Sequence, residues 1–149
     1  MIDFSNLKKY QVDAESRAWF TLSRIEGEPR LLVGPATQEN PVYYNAVLLW
    51  GMENAVQLRV GRTSVSTLAA NREIDRELYP LHVVFGWDRV VDAKGEVVPF
   101  SVENVREYLA ALPDYIFDDV RAFAGNQFNF PGTANVVVAE AVGGNSLGG

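Results

Sequence analysis

HVVFGWDRVVDAKGEVVPFSVENVREYLAALPDYIFDDVRAFAGNQFNF, residues His82–Phe130, carries two β-branched runs, one tight turn and two well-patterned helices. Val83-Val84-Phe85 and Val90-Val91 lead to Asp92-Ala93-Lys94-Gly95, and Val97-Val98 and Phe100 follow. Two β-branched runs around a short polar segment ending in Gly predict a hairpin, with Gly95 at positive φ. Pro99 has no N–H, so the second strand ends there or lies at an edge. Ser101 caps a helix whose apolar face is Val102, Val105, Tyr108, Leu109 and Leu112. Pro113 stops it. Asp114 caps the next, where Ile116, Phe117, Val120, Phe123 and Ala124 repeat the pattern before Gly125 closes it in the left-handed conformation. Helices joined so tightly are expected to pack as an αα-hairpin.

Outward from this stretch, Ala18–Ala36 predicts a second hairpin: Trp19, Phe20, Leu22 and Ile25, a turn through Gly27-Glu28-Pro29, then Leu31-Leu32-Val33. Asn40-Pro41 opens a helix as cap and first residue. Val42, Tyr43, Ala46, Val47, Leu49 and Trp50 make it apolar around much of its circumference, which predicts a central position. Phe4, Leu7 and Tyr10 fit a short amino-terminal helix. Residues 56–60 (VQLRV) alternate as a short strand, and Arg59 to Arg62 is a local basic spot. Thr63–Tyr79 is a helix candidate with Leu68, Arg72, Asp75 and Tyr79 on one stripe and a break at Asn71–Glu73. Its run of alternating charges, Arg72, Glu73, Asp75, Arg76 and Glu77, predicts a solvated, salt-bridged face.

The predicted fold class is therefore α+β: small β-hairpins packed with amphipathic helices, a C-terminal helix pair and a Gly-rich tail. The segments 15–54 and 81–124 each read β-then-α, so residues 1–130 make one domain or two small lobes. Residues 131–149 hold no Lys or Arg and end in GGNSLGG; they are expected to be a flexible or partner-ordered arm, with Val136–Val138 as one possible edge strand.

With 149 residues, 48% of them hydrophobic, the chain can bury a sizeable core, roughly 70% of its unfolded surface. No apolar run reaches transmembrane length and no secretion signal opens the chain. With no cysteine, disulfides, thiolate catalysis and cysteine-ligated metals are excluded, in keeping with a cytoplasmic site. A net charge of −6, with dispersed basic residues, argues against nucleic acid as partner. Phosphate-loop, dinucleotide, nucleophile-elbow and zinc-protease patterns are missing. His82, the one histidine, is read as structural at the start of a strand. Asp118 and Asp119 diverge by about 100° on a helix and do not share an ion; Asp119 is expected to face solvent. Asp88 and Asp92 read as strand-end and turn residues. No enzyme, metal or cofactor is expected.

The segments Gly86-Trp87-Asp88-Arg89-Val90-Val91-Asp92, Gly95, Val98-Pro99-Phe100-Ser101, Glu103-Asn104, Leu112-Pro113 and Asn129-Phe130 are similar to tail assembly chaperones of long-tailed bacteriophages. Arg89 stands where that family commonly has glycine. Gly34-Pro35-Ala36-Thr37 and Tyr44-Asn45-Ala46 resemble an upstream part of such proteins. The resemblance implies a protein of the host cytoplasm that binds the tape-measure protein during tail morphogenesis, with a longer frameshifted product in many members. Its alternative is a virion structural protein, a capsid, neck or tail component kept in the particle. Homo-oligomerisation is open. A helix-in-groove contact would place Tyr108, Phe117, Phe123, Phe128 and Phe130 as partner-binding candidates.

Overall fold

The computed structural model describes residues 2–10, 12–53 and 65–131. The basic spot at Arg59–Arg62, the strand at 56–60 and the Gly-rich arm lie outside the described residues. Within them the protein is α+β, with a three-stranded antiparallel sheet in the order β1-β2-β3 and four α-helices. β1 is Ala18–Thr21, β2 Arg30–Val33 and β3 Val84–Asp88; the helices are α1 (Pro41–Glu53), α2 (Val65–His82), α3 (Val102–Ala111) and α4 (Asp114–Ala124). Short 3-10 turns occupy Ser5–Tyr10 and Gln127–Asn129.

β1 and β2 form the expected hairpin, with Trp19 opposite Leu32 and Phe20 opposite Leu31. The turn is closed by positive φ at Gly27 (86°) and Glu28 (47°). β2 alternates, burying Leu31 and Val33, as a strand with one face on a core must. β3 pairs with β2, not with residues 97–100, which corrects the second expected hairpin. Of that hairpin a short piece survives around the turn, where the Val98 amide donates to the Val90 carbonyl and the Asp92 amide to the Glu96 carbonyl. Gly95 takes φ 82°, Asp92 Oδ1 accepts from the amides of Lys94 and Glu96, and Val91 bridges Val97. β2 offers β3 a longer, half-buried edge, so the ladder forms there.

A register shift between Leu32 and Val33 puts Val33 opposite Val84 and leaves Phe85 as the extra residue. A bulge re-aims a side chain, and Phe85 is turned outward, its ring under the Arg17 guanidinium at 3.7 Å.

α1 is capped as expected: Asn40 Oδ1 accepts from the Tyr43 amide. The Asn40 amide also donates to the Pro35 and His82 carbonyls, fastening α1 to the end of α2. α2 runs unbroken through Asn71–Glu73. Pro80, which removes one N–H from the last turn, precedes its end at His82; His82 thus closes a helix instead of opening a strand.

Ser101 caps α3, its hydroxyl accepting from the Asn104 amide at 3.0 Å. α4 departs from expectation at both ends. Its cap position is Pro113, and Asp114 is the first helical residue with no side-chain capping bond. Gly125 sits at φ −83°, ψ −2°, in the right-handed region. α3 packs along α2 rather than along α4, so the helix pair is splayed over a third helix and does not form a closed αα-hairpin. α2 is the common support because its inward side carries Tyr79, buried to 1%, against Phe117 of α4 (5.5 Å between rings) and Tyr43 of α1 (5.9 Å).

One core joins both halves of the chain: Leu31, Val33, Tyr79, Val83, Val105, Leu109, Phe117, Val120 and Phe130 belong to it. Burial of this apolar surface is the main favourable term in folding.

Candidate functional site

Three features of the described residues have chemical character, and each is built by different elements.

The first is a polar network where α2 meets α4. Asp75 is buried, and its two oxygens accept from the Tyr43 hydroxyl at 2.7 Å and Arg121 Nε at 2.8 Å. Arg121 also reaches Asp118, which is held by Arg72 at 2.8 Å. Arg76 donates to the Leu109 and Leu112 carbonyls and pairs with Asp114. The alternating charges of α2 are salt-bridged as expected, but solvated only in part: Glu73 and Glu77 are exposed whereas Asp75 is buried. Asp75 and Arg76 point inward and to the side, tying α2 to both helices that follow. Burial, and then the Asp75 carboxylate, push the Tyr43 hydroxyl well above its ordinary range. The Arg72 hydrogen bond holds Asp118 below the usual carboxylate range. Every group here has a partner of opposite character, which is the arrangement of a structural ion cluster. Among the described residues no group of His, Asp and Glu is placed to hold a metal ion.

The second feature is a pair of clefts on either side of Tyr108. One, about 200 Å³, is lined by Trp87, Val90, Val91, Val98, Glu107 and Tyr108. The other, about 250 Å³, is lined by Ile25, Glu26, Arg89, Val91, Tyr108 and Pro113. Val91 and Tyr108 belong to both walls, so the two make one apolar trough. The Tyr108 ring lies 5.5 Å from Trp87, edge-on, and Trp87 lies 5.7 Å from Phe100. Trp87 Nε1 donates to the Val98 carbonyl, which fixes the hairpin turn as the trough's wall. Burial pushes the Tyr108 hydroxyl above its ordinary value. Among the described residues Glu26 and Glu107 have no ion pair, whereas Arg89 is spent on the Gly27 and Glu28 carbonyls and Asp88.

Arg89 sits at φ 62°, the conformation that glycine adopts without strain. The family resembled by this segment commonly has glycine there.

The third feature is α1. It was expected to be central, yet Tyr43 alone among its residues is buried; Val42, Leu48, Leu49 and Met52 are exposed by half or more. At its amino end lies a cleft of about 310 Å³ whose lining includes Glu15, Arg17, Val42, Leu81, His82 and Phe85.

The aromatic candidates do not form one surface. Phe117 and Phe130 are buried completely. Phe123 is half-buried, stacked between Phe20 (4.9 Å) and Phe130 (6.1 Å). Tyr108 belongs to the separate Trp87 cluster, and Phe128 is 83% exposed. Asp119 pairs with Arg24 at 2.7 Å while staying partly exposed. The α1 face escaped the sequence reading because a helix apolar all round carries no mark of which side meets solvent.

Fold and site together define a small α+β domain, with a paired polar interior and clefts at its surface. Residues 39–140 match the YdaY prophage protein family, and the chain belongs to that family. It is a phage-derived protein; the matched region takes in all four helices and β3. No curated protein and no solved structure matches it. Among the described residues no helix is long and apolar enough to cross a membrane.

Proposed function

We propose that this prophage protein is a tail assembly chaperone that holds the tape-measure protein in the host cytoplasm while the tail forms. The observation that supports this most is the Tyr108 trough. It is lined in large part by apolar side chains, with Asp92 and Asn104 among them, has the half-buried Tyr108 in both walls, and carries Glu26 and Glu107, which have no ion pair among the described residues. An amphipathic helix laid in such a groove buries its apolar stripe and pairs basic flanks with those acids. A long helical tape-measure protein exposes such a stripe until the tube encloses it. Reversible masking needs binding and no bond chemistry, in keeping with the saturated ion cluster around Asp75.

The test is affinity capture of the tagged protein from induced lysogens, alongside mass spectrometry of purified particles. The proposal expects the tape-measure protein in the capture and this protein missing from mature particles. It also expects Glu107→Lys and Glu26→Lys, both at exposed positions, to weaken capture without altering the fold. Stoichiometric presence in the particle would replace the proposal by the structural-subunit reading.

A further inference from the structure

α1 presents Val42, Tyr44, Leu48, Leu49 and Met52 to solvent, exposed by 61, 38, 50, 57 and 74%. Residues advance by about 100° along a helix. These five and Asn45 therefore fill one contiguous half of α1, while Tyr43, Ala46, Val47 and Trp50 turn inward. No charged residue lies between Pro41 and Met52. At the amino end the face runs into the cleft with Leu81 and Phe85, exposed by 50 and 39%. The seven side chains offer on the order of 700 Å², against about 800 Å² per partner in a standard interface. This exceeds the roughly 300–600 Å² of the largest patch on a typical monomer.

We propose that α1 is a self-association surface, on which two copies pair antiparallel along Val42, Tyr44, Leu48, Leu49 and Met52. Area and reciprocity select this occupant. Each copy carries −6, so two copies repel overall; the helix face has no carboxylate between Pro41 and Met52, and Glu15 at the rim of the cleft is paired with Arg17 at 3.9 Å. A foreign partner drawn by opposite charge would find no charge along the helix between Pro41 and Met52, and would be drawn to acid-rimmed surfaces such as the Tyr108 trough. Shape agrees. A convex helix takes another by ridges into grooves. The two-fold axis passes near Asn45 and Leu48, so the protruding Met52 of each copy falls against the other's cleft beside Val42, Leu81 and Phe85. Methionine is the side chain best able to fill such an irregular gap, and reciprocal contact of one patch with itself is the rule for two-fold dimers.

The experiment is sedimentation of the full chain over a concentration series, with Leu48→Asp and Leu48→Lys made separately and then mixed. Leu48 is half exposed, so neither change should unfold the protein, and circular dichroism checks this. The wild type should sediment at twice 16.5 kDa in the micromolar range. Each single variant should shift the dissociation midpoint upward at least tenfold, and the mixture should recover a heterodimer because the two side chains face each other across the axis. A wild type that stays monomeric, or folded variants that remain dimeric, would overturn the proposal. So would a full chain that pairs only after residues 132–149 are removed, since the face would then be covered from within. Dimerisation is read without the tape-measure protein, so its failure leaves the Tyr108 reading untouched.

Discussion

Replacing Phe117 by alanine should be among the most costly single changes in this protein, and the same change at Phe128 among the least. Both rings lie in the carboxyl-terminal part of the described chain, and both fit the pattern of a partner contact. In the structure Phe117 has no exposed surface and Phe128 has most of its surface in water. The Phe117 ring meets Tyr79 edge-on at 5.5 Å and lies 4.8 Å from the Arg76 guanidinium. Truncation removes the ring's transfer free energy and leaves a cavity, about 3–5 kcal/mol for a buried phenylalanine. Loss of the aromatic pair is worth ~1 kcal/mol and is partly included in that range. The cavity opens where α1, α2 and α4 converge, and the ion cluster beside it resists collapse, so the upper half of the range is expected. For a domain of this size each kcal/mol moves Tm by about 2–4 °C, so Phe117→Ala should melt roughly 10 °C or more below the wild type. Phe128→Ala should stay within about 0.5 kcal/mol. Urea unfolding followed by both fluorescence and circular dichroism measures the two. A loss below about 1.5 kcal/mol at Phe117, or an equal loss at both positions, would refute this placement of the core.

At Arg89, with φ 62°, substitution by valine should destabilise more than substitution by glycine, by about 1 kcal/mol or more, because a β-branched residue is strained in the left-handed region. Both variants lose the contacts to the Gly27 and Glu28 carbonyls, so their difference in urea midpoint isolates the backbone term. Asp118 is held below its unfolded value by Arg72; its contribution to stability is thus present above the unfolded pKa, about 3.9, and is lost as pH falls through the lower folded value. Asp118→Asn should be less stable than the wild type at neutral pH and should flatten the acid limb of the stability profile, measured by thermal melts from pH 2 to 7; an unchanged acid limb would remove Asp118 from the cluster.

Local chemistry made much of the fold legible. Ser101 and Asn40 announced their helices because a side-chain oxygen before an apolar-periodic run satisfies a first-turn N–H whatever the rest of the chain does. Gly27 and Gly95 announced turns, each taking a positive φ, and the apolar run Leu31-Leu32-Val33 announced one arm of a hairpin. The α+β class followed from these signals. Partner choice did not. Val84–Asp88 would satisfy its amides against any adjacent edge, and only the assembled core brings β2 alongside and leaves the Val90–Val98 hairpin as a turn. In the same way, the charges of α2 would all suit solvent in an isolated helix. Asp75 becomes interior because α4 delivers Arg121 and α1 delivers Tyr43 to the same point.

The candidate surfaces divide along the same line. Tyr108 was marked by sequence as an aromatic on an amphipathic helix, but the trough exists because Trp87, from a strand, and Val91, from a turn, are folded against it. Phe117 and Phe130 carried the same mark and ended in the core, since periodicity states that a face is apolar and cannot state what covers it. α1 is the converse case: its sequence has no polar side to orient it, so the exposure of Val42, Leu48, Leu49 and Met52 was decided by where α2 gave it room to pack. Sequence determined most of the elements and the capped starts of α1 and α3, which are properties of a few neighbouring residues. Tertiary structure alone decided pairing, burial and the available surface, because those depend on which distant segments compete for the same core.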